Sequence, residues 1–80
     1  MKAHVWVMPK QTVLDPQGKT IHNALVSLGY TAVQDVRQGK FFVLELGGLN
    51  RADAEAQIGK IAREVLANLV IEDFRFEIVE

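Results

Sequence analysis

Apolar residues recur in two rhythms along this 80-residue chain, and each change of rhythm marks an element. From Ala3 to Met8 the period is two: Val5 and Val7 share one face, while His4, Trp6 and Met8 share the other. This segment predicts a strand with apolar groups on both faces. Ile21, Ala24, Leu25 and Leu28 then follow a helical spacing. Asp15 stands where an N-cap belongs, Pro16 occupies the first helical position and Gly29 is placed to end the helix, so it should run from Pro16 to about Leu28.

Val33 to Arg37 and Lys40 to Leu46 read as two strands joined at Gln38-Gly39 in an antiparallel hairpin, where the Gly supplies the φ > 0 that a tight turn needs. Asn50 caps a second helix, with Asp53 in a capping-box-like position. Its buried stripe should be Ala54, Ile58, Ile61 and Val65 with Ala62 and Leu66, ending near Asn68. Val70 to Val79 closes the chain as a strand in which Phe74, Phe76 and Ile78 alternate with Arg75 and Glu77.

The order β-α-β-β-α-β predicts one α+β domain spanning residues 1–80. The expected fold is a two-layer α/β sandwich, ferredoxin-like in the broad sense, with two helices on one face of a mostly antiparallel four-stranded sheet. Two helices cover only one face. Trp6 and Met8 lie opposite Val5 and Val7, and Phe41 and Phe42 must point to opposite faces, so apolar groups are left over. Burial is worth about 25 cal/mol per Å² of apolar surface, which favours pairing with another chain. Trp6, Met8 and Phe42 are the residues expected at such a sheet-face or dimer contact.

Composition sharpens this picture. Hydrophobic residues make up 49% of a chain too short to hide many of them, which strengthens the expectation of association. Nine basic against ten acidic residues give a net charge of −1 and no electrostatic footprint for nucleic acid or a membrane surface. The absence of cysteine removes thiolate chemistry and fits a reducing compartment. The apolar run Ala3 to Met8 is too short for a signal peptide, so the cytoplasm is the expected location.

Candidate chemistry is sparse. Ser27 lies inside a helix without a nucleophile elbow, and His4 and His22 have no partner at metal-ligand spacing, so neither a catalytic nor a metal site is expected. The glycines form no dinucleotide or nucleotide-phosphate loop, so no cofactor is expected on this chain. Glu72, Asp73 and Glu77 read as a solvated strand edge. Arg37 and Lys40, beside a turn, could hold an anion or dock on an acidic partner surface.

Three segments in order carry more than local structure requires: Leu14-Asp15-Pro16-Gln17-Gly18-Lys19, Val36-Arg37-Gln38-Gly39-Lys40 and Leu66-Ala67-Asn68-Leu69-Val70-Ile71-Glu72-Asp73-Phe74. With Ala24-Leu25 and Leu28-Gly29-Tyr30 between the first two, the whole chain resembles the PurS family, the small subunit of phosphoribosylformylglycinamidine (FGAM) synthase. It departs from the usual pattern at Thr12, where the family has Gly, and at Leu69, where it often has Pro.

The resemblance implies a non-catalytic subunit of an ATP- and glutamine-dependent ligase of de novo purine biosynthesis. It would bridge the glutaminase and synthetase subunits and support ammonia transfer in the conversion of FGAR to FGAM. ATP, Mg and glutamine would be used by the complex and not held by this chain. A homodimer is implied, with a tetramer as a further step. Asp15, Gln17, Arg37 and Lys40 are the residues expected at partner contacts. The alternative class is a small-ligand-binding regulatory module with Arg37 and Lys40 holding an anion at a dimer interface.

Overall fold

Ala3, Val5 and Val7 are completely buried, and they place the first strand, β1 (Lys2–Pro9), at the centre of the sheet. A computed structural model describes residues 1–80. After β1 come α1 (Pro16–Ser27), β2 (Lys40–Glu45), α2 (Arg51–Ile61) with a π-helical turn Ala62–Leu66, and β3 (Glu72–Val79). The sheet has three strands in the order β2-β1-β3, with β1 antiparallel to both neighbours. Val5 pairs with Phe42 on one side and Phe76 on the other, while Trp6 pairs with Phe41 and Arg75. Alternation therefore sends Val5, Phe42 and Phe76 to one face and Trp6, Phe41 and Arg75 to the opposite face.

The first of these faces is covered by α2. Asn50 caps it, its Oδ1 accepting the backbone N–H of Asp53 at 2.8 Å. Ala54, Ile58 and Ala62 form a core with Ala3, Val5, Val7 and Ile78, bordered by partly buried Phe42, Leu44, Phe74 and Phe76. Two alanines in that stripe let the helix sit close to the sheet. The helix then widens. Ala67 N–H donates to the Ala62 carbonyl at 2.9 Å, a five-residue spacing that inserts one extra residue into the turn. That rotation explains why Val65, expected in the buried stripe, is 74% exposed.

Here the architecture departs from the expected four-stranded sandwich with two helices on one face. The sheet has three strands, and no residue of α1 belongs to the hydrophobic core. Residues 33–37 form no strand. Their partners lie elsewhere: the Val33 carbonyl meets the His22 ring nitrogen at 2.8 Å, and the Arg37 guanidinium donates to the carbonyls of Pro9, at 3.2 Å, and Lys10, at 2.5 Å. The segment thus runs back along α1 instead of extending the ladder beyond β2. Gly39 has no positive φ and makes no hairpin. It is needed because a Cβ there would overlap Met8 Sδ and the Val7 carbonyl.

Helix α1 and its return segment, residues 11–38, make an arm extending from the end of the sheet. The radius of gyration is 16.1 Å, against about 12 Å for a compact chain of this length. Molecular extents of 50 × 26 × 14 Å give the same picture. The arm helix buries only Gly18, and its apolar residues stay open, with Ile21 40% and the C-cap residue Leu28 73% exposed. Gly29, at φ 97°, ends it.

Candidate functional site

The base of the arm is where the sequence motifs meet. Asp15, in extended conformation before the Pro16 start, accepts the Gly18 N–H on Oδ1 at 3.0 Å. Its Oδ2 accepts the Gln38 N–H at 2.8 Å. One carboxylate therefore caps α1 and anchors the end of the return segment. These two N–H donors, first Gln38 and then Gly18, with the positive charge of Arg37 helping, hold the Asp15 carboxyl below its ordinary value of 3.8. Gly18 makes the closeness possible, since a Cβ there would overlap the Val36 carbonyl oxygen and crowd the Asp15 carboxylate.

Around this anchor lies a ring of polar groups. Gln38 Nε2 donates to Gln17 Oε1 at 2.7 Å on the exposed surface. Lys40 Nζ lies 3.9 Å from Glu72 Oε2. Glu72 Oε1 in turn accepts the Asn68 N–H at 2.8 Å, tying β3 to the chain that follows α2. Asp15, Gln17 and Lys40 line one open cavity of about 220 Å³, whose apolar wall is Val13, Leu14 and Ile71. Arg37 lines a neighbouring cavity of about 420 Å³ with Asp15, Lys19, His22 and Asp35. Leu14 borders both and is 76% exposed.

All four residues expected at partner contacts thus gather at the joint, although Asp15 and Gln17 lie at least twenty residues before Arg37 and Lys40. Sequence reasoning missed Gln38, Leu14 and Glu72 as members of the ring. The signal was present for Gln38, which sits inside the Val-Arg-Gln-Gly-Lys motif, but its contribution through a backbone N–H left no trace in residue type.

The two departures from the usual motif are accommodated. Thr12 lies in a turn closed by Val13 N–H to the Lys10 carbonyl at 2.9 Å, and no non-glycine residue has positive φ. Leu69 lies in a turn held by Asn68, whose Oδ1 accepts the Val70 N–H and whose carbonyl accepts those of Ile71 and Glu72.

A second surface is the sheet face opposite α2. Trp6 and Phe41 have ring centroids 5.3 Å apart, His4 packs edge-on to both at 6.0 and 5.3 Å, and the Arg75 guanidinium lies 3.9 Å over the Trp6 ring. Met8 is on this open face and 40% exposed. Phe42 is not: it lies half-buried on the α2 side, and Phe41 takes its place on the open face.

Comparison with known proteins shows the family. The PurS family model, described as phosphoribosylformylglycinamidine (FGAM) synthase, matches residues 2–80. The chain belongs to the PurS family. It is 43% identical over 79 residues to phosphoribosylformylglycinamidine synthase subunit PurS of Bacillus subtilis, covering 99% of this chain and 93% of that protein. The Mycobacterium leprae PurS subunit is 47% identical over 73 residues, 91% of this chain and 89% of the relative. Among solved structures, Bacillus subtilis PurS aligns with a TM-score of 0.88 at 43% identity, covering 99% of this chain and 98% of that one. PurLQS from Thermotoga maritima aligns with a TM-score of 0.85 at 30% identity, covering 95% and 93%. The elongated shape and three-stranded sheet thus belong to a protein whose relatives are named as subunits of a synthase. No helix is long and apolar enough to cross a membrane.

Proposed function

We infer that this chain is the small, non-catalytic PurS subunit of FGAM synthase, a glutamine- and ATP-dependent ligase of de novo purine biosynthesis. It bridges the glutaminase and the synthetase subunits and supports ammonia transfer for the conversion of FGAR to FGAM, with ATP, Mg and glutamine engaged by the larger subunits. Family membership over residues 2–80 supports the reading at the level of the complex. The observation that carries the bridging role is the joint: three motif segments far apart in sequence converge on one exposed surface of amides, charges and a projecting leucine. Interfaces are built this way, from polar groups around an apolar anchor.

Self-association belongs to the same reading. Ile21 and Val26 on α1 and Leu28 at its C-cap are exposed without a covering element in the chain, and a second copy supplies one. The alternative, an anion-binding regulatory module, finds less support, because Arg37 is engaged by two backbone carbonyls and Lys40 by Glu72.

Co-purification tests the bridge. Glutaminase and synthetase subunits mixed in the presence of glutamine and ATP–Mg should elute as one complex only when this chain is added. Elution of the same complex without it would overturn the reading.

A further inference from the structure

We propose that the joint docks on an acidic surface of one larger subunit, which receives Leu14 in an apolar pocket and sets its carboxylates against Lys19, Arg37 and Lys40. This inference rests on the bridging role and adds to it the chemistry of the surface that meets the joint. The acids of the joint are largely spent within the chain. Both Asp15 oxygens accept backbone N–H groups, and Glu72 gives one oxygen to Asn68 and the other to Lys40, so only Asp35 is left without a partner. The cations remain available. Lys19 is exposed with no ion-pair partner, and Lys40, 3.9 Å from Glu72, keeps its side chain 61% exposed. Arg37 reaches its two carbonyls through Nη2 alone, so Nε and Nη1 stay free to donate.

The whole chain repeats this division of charge. Residues 10–40 carry four basic residues against two acidic ones, and the remainder carries five against eight. An acidic partner surface is therefore drawn to the joint and repelled by the body of sheet and α2, which selects one orientation of docking. Two joints set face to face would oppose cation to cation, so the same surface of a second copy does not suit this place.

Shape completes the match. Leu14 borders both hollows of the joint, with Lys19 and Arg37 lining the larger and Lys40 the smaller, so cations flank the leucine on two sides. In the smaller hollow the bond from Gln38 Nε2 to Gln17 Oε1 leaves Gln17 Nε2 and Gln38 Oε1 without partners in the chain. They offer a donor and an acceptor to a main-chain amide of the docked surface. An apolar anchor inside a charged rim divides the kinetics: the rim governs encounter, and the anchor governs dissociation.

Binding kinetics test this division. Biolayer interferometry reads the association and dissociation rates of the chain with the mixed glutaminase and synthetase subunits, in glutamine and ATP–Mg, at low and at physiological salt. The parent is compared with Lys19→Glu, Leu14→Ala and Lys60→Glu, three exposed positions whose folds circular dichroism checks. Lys19→Glu should slow association about five-fold at low salt and flatten its salt dependence. Lys60→Glu, on α2, changes the net charge equally and should alter the rate by less than about two-fold. Leu14→Ala should speed dissociation about ten-fold and leave the salt dependence of association as in the parent. Unchanged or faster association in Lys19→Glu, equal slowing by Lys60→Glu, or unchanged dissociation in Leu14→Ala would overturn the proposal. A lowered sedimenting mass of Leu14→Ala alone, with subunit binding intact, would assign the joint to a second copy and overturn it as well. Failure of the parent chain to bind either subunit would refute the bridging role itself, whereas binding that ignores these charges refutes the acidic surface alone.

Discussion

Asp15 and Gln38 are 23 residues apart in sequence, yet one carboxylate oxygen of the first accepts the backbone N–H of the second at 2.8 Å while the other oxygen caps α1. This bond closes the base of the arm. It also fixes the course of residues 33–37: the end of the segment is held at the helix start instead of in the sheet.

That relationship has a pH signature. The N–H donors hold the Asp15 carboxyl below 3.8 in the folded chain, so its stabilising contribution is present above the unfolded value and is lost as pH falls through the lower, folded one. Asp15→Asn should melt below the parent protein at pH 7, and the difference should close as pH falls below about 4. Thermal melts of both proteins across this range check it; a constant difference would mean that the carboxylate charge contributes nothing.

Gly18 is a steric prediction. Because a Cβ would overlap the Val36 carbonyl, Gly18→Ala should destabilise by about 1–3 kcal/mol, whereas Gly47→Ala, with nothing within 4 Å, should cost far less. Urea unfolding of the two variants gives the comparison.

The core rests on few side chains, and Ile58 is the largest of those fully buried. Ile58→Ala should lose about 2–5 kcal/mol, a large share of the roughly 4–12 kcal/mol expected for 80 residues. The variant should show a strongly lowered denaturation midpoint.

The apolar stripe of α1 makes the opposite prediction. Leu28→Ser, on a residue 73% exposed, should leave the stability of the single chain within about 0.5 kcal/mol while lowering the sedimenting mass at a given concentration. Unchanged mass would remove α1 from self-association.

These contrasts show what residue patterns carry and what they omit. The caps at Asp15 and Asn50 and the alternation of β1 were legible because each is decided within a few residues. The course of residues 33–37 was not: Val33 and Val36, three apart, would lie on opposite faces of a strand, so no alternation marked the segment, and the bonds that place it come from His22, Pro9, Lys10 and Asp15. Gly39 fitted a hairpin by type but serves close approach to Met8. Val65 fitted the helical stripe until the π-helical turn displaced it. At the site, Asp15, Gln17, Arg37 and Lys40 were readable from the motifs, and their convergence required the fold.

A chain that couples a glutaminase to a synthetase should be required for glutamine-dependent turnover. The most direct measurement is the rate of FGAM formation by the two larger subunits, with glutamine or with ammonium as nitrogen source, before and after adding this chain. Its addition should raise the glutamine-dependent rate strongly and leave the ammonium-dependent rate nearly unchanged. Equal glutamine-dependent rates with and without the chain would mean that it couples nothing.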